Sequence, residues 1–271
     1  MSAWILKKGN GLAYYTLDKW LESGVNIAFS TRVGGCSEGA YHSSNLGLHV
    51  DDERDSVLAN REKFLANFKV DLGQAVCCQQ VHGVQVQRVD QQQQGRGAFL
   101  YESSLPECDA LTTDRPGVAL LSFYADCLPV YFFDPCHRAV GMAHSGWKGT
   151  MGRIAEKTIA AMQQEFSSQA EDLWAAIGPG IGADCFEISP ALADDVKLNF
   201  QGFENILQMK SERQFWDLSA TIHQMLLRQG VEPDKISICP LCTACNPDQF
   251  FSYRRDDGKT GRMGALLNLR Y

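Results

Sequence analysis

Apolar and polar positions alternate along the chain in two periods, and the change of period marks its elements. Ile27-Ala28-Phe29-Ser30 reads as a strand entering a glycine-rich turn, Thr31-Arg32-Val33-Gly34-Gly35. Glycine there permits positive φ and close approach of a ligand to backbone. Over 56–68, Val57, Leu58, Phe64, Leu65 and Phe68 form a helical stripe, preceded by an acidic turn (51–55) that suits a helix N-terminus. Strands are predicted over 75–81 and 84–89, separated by His82-Gly83, and the glutamine run 91–94 reads as a polar loop. Further strands are predicted over 118–123, 130–133 and 139–143. Residues 153–166 place Ile154, Ala161, Met162 and Phe166 on one helical face. A short strand at 174–177 runs into Gly178-Pro179-Gly180-Ile181-Gly182. A helix over 218–228 turns Leu218, Ile222, Met225 and Leu226 inward with Gly230 as its stop signal, and a strand follows over 236–239. Strands and helices alternate with no clear linker and no solenoid repeat, so the expectation is one α/β (α+β) domain over 1–271.

The pattern breaks once inside its most apolar region. Between 118 and 133, rich in Val, Leu, Phe and Tyr, stands Tyr124-Ala125-Asp126-Cys127-Leu128-Pro129-Val130. A carboxylate there is costly unless it is paired, hydrogen-bonded or near a metal. Such a broken local rule marks the place to look for function. Ala143-His144-Ser145-Gly146-Trp147-Lys148-Gly149-Thr150 follows it closely.

Composition narrows the function classes. The 271 residues are 45% hydrophobic and 21% charged, ordinary for a globular protein able to bury a substantial core. A net charge of -7 argues against nonspecific nucleic-acid or anionic-membrane binding, while leaving room for a local phosphate site. The longest apolar run, broken by Asp126 and Pro129, is too short for a membrane span. No apolar segment follows Lys7 and Lys8, so no secretory signal is expected; the ten cysteines then read as reduced thiols in a cytoplasm.

Among the six histidines, His82 and His144 sit in glycine-flanked turns beside strands. With Cys127 they make a His2Cys set, which would leave a fourth tetrahedral position for water, as in catalytic zinc sites. Residue types alone leave other readings open: a buried thiol with satisfied histidines, or a Cys127 nucleophile with a His144 base oriented by Asp126. A rival metal motif is Cys239-Pro240-Leu241-Cys242-Thr243-Ala244-Cys245, which lacks a fourth ligand at suitable spacing. The nucleobase-deaminase signature H-x-E is absent, and Gly178, Gly180 and Gly182 lack dinucleotide-loop spacing. Basic residues near glycines, namely Arg32, Lys148, Arg254-Arg255, Lys259 and Arg262, are candidates for an anion site. Arg32 and Lys148 stand out because each adjoins a glycine turn next to a strand.

Taken together, several segments resemble one family. They are Ser30-Thr31-Arg32-x-Gly34-Gly35 running to Ser44-Asn45-Leu46-Gly47, Gln79-Gln80-Val81-His82-Gly83, and Cys108-Asp109-Ala110-Leu111. Ala125-Asp126-Cys127-Leu128-Pro129-Val130, His144-x-Gly146-Trp147-Lys148-Gly149, Ile177-Gly178-Pro179 and Phe250-Phe251-Ser252-Tyr253-Arg254-Arg255 complete the set. The chain, over about 29–263, resembles the YfiH or laccase-domain (polyphenol oxidase) proteins, regarded as zinc-dependent purine nucleoside phosphorylases. The resemblance implies a layered α/β sandwich with mixed sheets flanked by helices and zinc on His82, Cys127 and His144. It implies phosphorolysis of adenosine, inosine or methylthioadenosine, with adenosine deamination in some members. Arg32, Asn45 and Lys148 would then bind phosphate or nucleoside, and Asp126 would support the ligands or transfer a proton. Lys148 stands where arginine is also usual in the family, so bidentate phosphate recognition is lost there. The resemblance also places Cys239, Cys242 and Cys245 in a variable stretch before the Arg254-Arg255 motif, so they are expected to be reduced structural thiols and not a metal site. Copper is the alternative ion, but laccase chemistry would need about ten histidines and an H-x-H pair. Two other functions remain in play. One is a Cys-His amidase that removes L-Ser from a peptidoglycan precursor; the other is a noncatalytic metal- or nucleotide-binding protein.

Overall fold

The computed structural model describes residues 3–271. Fifteen strands and six α-helices form among them, in three sheets. The first sheet runs, edge to edge, through β1 (Ile5–Gly9), β2 (Leu12–Thr16), β3 (Val25–Ser30), β15 (Met263–Leu269), β7 (Ala119–Tyr124) and β4 (Ala75–Val76). The second runs through β14 (Ile236–Ile238), β10 (Trp174–Ile177), β8 (Leu128–Asp134), β9 (Ala139–Ser145), β6 (Ala110–Thr113) and β5 (Val86–Arg88). A small third sheet holds β11 (Glu187–Ile188), β13 (Arg213–Trp216) and β12 (Leu207–Lys210). Both large sheets mix parallel and antiparallel pairs.

Period-two side-chain alternation builds the layers. Ile27 and Phe29 of β3, Leu120 and Tyr124 of β7, and Leu267 of β15 meet Tyr131 and Phe133 of β8 and Val140 and Met142 of β9 in one core between the sheets. On the opposite face of the first sheet, Ala28, Leu121 and Leu266 pack with Phe64 and Leu65 of helix α2 (Arg54–Ala66). Val130, Phe132 and Ala143, on the outer face of the second sheet, pack against Ile159 and Met162 of α4 (Ile154–Phe166) and Ile222 and Met225 of α6 (Leu218–Arg228). Central strands buried on both faces read as unbroken apolar runs. The expected sandwich of mixed sheets flanked by helices is therefore the fold. Helices α1 (Asp18–Glu22), α3 (Trp147–Met151) and α5 (Pro190–Asn199) complete the chain.

Some boundaries differ from the sequence pattern. Of the strands expected over 75–81 and 84–89, only 75–76 and 86–88 form strands; Cys78 makes an isolated bridge to Leu105, and His82 takes φ 59° in the turn between the two strands. The α2 and α4 helices lie within two residues of expectation. No helix among the described residues is long and apolar enough to cross a membrane.

Candidate active site

Strand β7 ends in the first sheet at Tyr124 and β8 begins in the second at Leu128, so Ala125-Asp126-Cys127 is the crossover between the sheets. The acid and the thiol therefore do not interrupt a strand. Asp126 adopts φ 88°, in the region non-glycine residues rarely enter. Its buried carboxylate accepts hydrogen bonds from Thr243 Oγ1 (2.6 Å), Ser252 Oγ (3.0 Å) and the Arg254 N–H (2.7 Å). Those contacts fasten the crossover to the 243–254 segment. Asp126 lines the cavity and ties down the crossover that carries Cys127, while a different carboxylate bonds His144.

That carboxylate is Asp109, directly before β6. Its Oδ1 lies 2.8 Å from His144 Nδ1, and it also accepts the backbone N–H groups of Val81 (3.2 Å), His82 (3.0 Å) and Gly83 (2.7 Å). One buried carboxylate thereby shapes the turn that presents His82 and fixes the ring of His144. Strand register does the rest, since His144 on β9 pairs opposite Pro129 on β8, two residues from Cys127.

The ligating atoms of His82, Cys127 and His144 all lie within 4.8 Å of one another, with the two imidazole centroids 4.9 Å apart. His144 is buried, Cys127 half-buried and His82 exposed. Gly146 is required by this crowding: a Cβ there would stand 2.7 Å from Cys127 Sγ and 2.9 Å from His82 Nδ1. Burial alone would raise the Cys127 thiol, but His144 and then His82 pull it below its ordinary value. Burial would likewise lower His144, yet the Cys127 sulfur and the Asp109 carboxylate together raise it. Asp109 is itself depressed: the hydrogen bond and charge of His144 and the N–H groups of Gly83 and Val81 outweigh its burial. Two imidazoles and a readily ionised thiol, with one ring tied back to a carboxylate, fit Zn²⁺ in chemistry and number, and leave a coordination position open.

The three donors line a cavity of about 490 Å³, within the range of small-molecule sites. Lys148, Arg254 and Arg262 bring positive charge to its walls, and Tyr101, Phe123, Trp147 and Tyr253 bring aromatic surface. His49 also faces it.

The expected substrate residues divide. Lys148 lines the cavity. Arg32 does not: its guanidinium donates to the carbonyls of His42 (2.9 and 2.7 Å) and Pro247 (3.2 Å) and stacks on Phe251 at 4.5 Å. Asn45 is fully buried and spends its amide on Asp52 and Gly47 and on the backbone N–H of Arg262 (2.8 Å). Both anchor segments around the site. Arg262, named in the sequence only as one of several basic residues, lines the cavity where Arg32 does not, and Asp109 is the carboxylate on His144. Their motifs were visible, but their roles depend on the turn at 81–83 and on the placement of β15.

The ten cysteines are free. Cys242 and Cys245 meet Cys185, which the sequence did not connect with them, in a second thiol cluster.

Two facing mixed sheets, with a His2Cys donor set at their crossover and a cationic, aromatic cavity above it, define an α/β protein with a candidate mononuclear metal centre. The chain belongs to the multi-copper polyphenol oxidoreductase laccase family, whose pattern matches residues 26–270. Purine nucleoside phosphorylase YlmD of Geobacillus stearothermophilus is 37% identical over 251 residues, 92% of this chain and 91% of that one. Its Bacillus subtilis namesake is 33% identical over 260 residues, 94% of each. The crystal structure of the Geobacillus stearothermophilus YlmD superposes with a TM-score of 0.94 over 100% of both chains at 34% identity. That of Bacillus licheniformis hypothetical protein YfiH gives 0.92 at 35% identity, over 98% of this chain and 99% of the other.

Proposed function

We propose that this chain is a zinc-dependent purine nucleoside phosphorylase acting on adenosine, inosine or methylthioadenosine, with adenosine deamination as a second activity of the same centre. The observation that carries the proposal is the placement of His82, Cys127 and His144 in a cavity whose remaining walls are cationic and aromatic. Relatives named purine nucleoside phosphorylase, at 30–37% identity, support it. Breaking the bond from ribose C1′ to the purine builds positive charge on the sugar and negative charge on the base, so the site must hold phosphate and stabilise both charges. Lys148, Arg254 and Arg262 hold the phosphate dianion near the sugar, and Trp147, Tyr101 and Tyr253 offer flat apolar surface to the purine. Asp109 keeps His144 Nδ1–H engaged, so the ring presents its other nitrogen to the metal position. Zinc, when bound, would supply Lewis acidity and orient phosphate or water.

Laccase chemistry has no support in the donor groups. Among the described residues, the sets able to hold a metal are this one and the three-cysteine cluster, and neither is a histidine-rich trinuclear centre. The lowered Cys127 thiol beside His144 also suits an amidase nucleophile. One experiment separates the readings: hypoxanthine release from inosine, with and without phosphate, in the native protein and in Cys127→Ala, alongside metal content. Phosphate-dependent release lost together with the metal is expected. Full activity in the metal-free variant, or a trapped acyl-enzyme on Cys127, overturns the proposal. Ammonia release from adenosine without phosphate tests the deaminase activity.

A further inference from the structure

Strands β10 and β14 are parallel neighbours that end in register at Ile177 and Ile238, so the chain leaves both at the same end of the second sheet. The two exiting segments, 178–186 and 239–246, stay paired. Gly180 bridges Cys242, and the Thr243 N–H donates to the Gly180 carbonyl at 2.9 Å. A turn in which the Cys185 N–H bonds the Gly182 carbonyl (3.0 Å) brings Cys185 back over the Cys242-x-x-Cys245 loop. The three sulfurs then lie within 4.8 Å of one another, and those of Cys185 and Cys245 are 3.2 Å apart. Thiolates sharing one tetrahedral zinc, each about 2.3 Å from it, stand about 3.8 Å from one another. The sulfurs therefore stand within about 1 Å of the separations that close on an ion. The Gly182 N–H already points at Cys242 Sγ, 3.1 Å away, the type of backbone support that metal-bound thiolates receive. Cys185 and Cys242 are half-buried and Cys245 is exposed, so an ion has a route in and water can complete its coordination.

We propose that Cys185, Cys242 and Cys245 bind a zinc ion of their own, a second metal site separate from His82, Cys127 and His144, which clamps the 178–186 segment to the 239–246 segment. Each ligating S–H releases its proton to solvent as its Zn–S bond forms, and no oxidant or reductant takes part. Soft thiolate sets select zinc-like ions, and a divalent cation offsets the repulsion among three ionised sulfurs. The clamp bears on the cavity from outside. Ile181 of the first segment and Asp126, held by Thr243 of the second, both line it.

The test uses the full-length protein loaded with zinc. In the Cys127→Ser variant, which lacks a ligand of the first centre, one zinc per chain is expected to remain, and Cys242→Ser with Cys245→Ser added should remove it. In the otherwise native protein, zinc should slow iodoacetamide labelling of Cys185, Cys242 and Cys245 together by about tenfold or more, and a chelator should restore it. This labelling map needs no variant to fold and reports on the cluster whether or not the first centre holds metal. A Cys127→Ser protein without zinc, labelling indifferent to zinc, or a Cys185–Cys245 disulfide in the purified protein overturns the proposal.

Discussion

Asp109 Oδ1 stands 2.8 Å from His144 Nδ1, and the same carboxylate receives the N–H groups of residues 81–83. It thereby couples two candidate metal-ligand positions, one in a turn and one on a strand. Asp109→Asn keeps the shape but replaces one acceptor oxygen with an NH₂, which opposes either His144 Nδ1–H or a backbone donor. Losing an outer partner of a ligating histidine costs about 10–100-fold in metal affinity. The expected result is a zinc dissociation constant raised by that factor in chelator competition, with phosphorolysis restored at high zinc. An affinity equal to that of the native protein would remove Asp109 from this role.

Lys148 and Arg32 should give opposite results. Lys148 lines the cavity, whereas Arg32 is committed to the carbonyls of His42 and Pro247. A charge-assisted hydrogen bond contributes about 1.5–3 kcal/mol, a factor of roughly 10 to 150. Lys148→Ala should accordingly raise the KM for phosphate about tenfold or more with little change in Tm. Arg32→Ala should lower stability by about 1–2 kcal/mol, since the freed carbonyls reach water, and leave the phosphate KM unchanged. Initial rates over a phosphate series and thermal melts of both variants decide it.

Legibility followed locality. Strands β7 and β8, buried on both faces, and helices α4 and α6, with one apolar face each, carry their period in a single stretch and could be read directly. Strand β15 is equally apolar but gains meaning only between β3 and β7, a pairing across most of the chain. Strands β12 and β13 are short and partly exposed, with no buried stripe to mark them. The same holds at the site. His82 and His144 were recognisable in glycine turns, Cys127 as a thiol inside an apolar stretch, and all three as parts of a family pattern. That Asp109 and not Asp126 bonds His144 was not, because both precede an apolar strand in sequence and differ only in which donors the fold brings to them. Cys185 joins a cluster with Cys245 from 60 residues away, a distance no local cysteine spacing reveals.

Asp126 should behave as a structural anchor. Three donors converge on its buried carboxylate, so Asp126→Ala leaves them unpaired and removes the tie between the crossover and the 243–254 segment. Leaving a buried donor without its acceptor costs about 1–3 kcal/mol. The expected outcome is a loss of that order in urea denaturation, accompanied by weaker metal binding as Cys127 shifts. Asp126→Asn, which tolerates positive φ and retains one acceptor oxygen, should recover part of the stability. If Asp126 instead transferred the proton, Asp126→Asn would remain stable and lose kcat alone.

Acid should loosen the segment that carries Tyr253, Arg254 and Arg262 into the cavity. Asp256 accepts a two-pronged contact from Arg255 (2.7 and 2.9 Å) and a hydrogen bond from Thr260 (2.9 Å). Burial would raise its carboxyl, but the Arg255 and Thr260 hydrogen bonds and the Arg255 charge hold it below the ordinary value. A carboxyl depressed by folding contributes stability that is fully present above its unfolded value, about 3.9, and is lost as pH falls through its lower folded value. The group is partly open to water, and screening limits the contribution to about 1 kcal/mol. Asp256→Asn should therefore be less stable than the native protein by about that amount at pH 6, and the difference should shrink progressively as the pH falls below about 3.9 and through the lowered folded value. Urea denaturation of both proteins at about pH 6 and at successively lower pH measures it. A difference that persists unchanged at the lower pH would assign the effect to shape and not to charge.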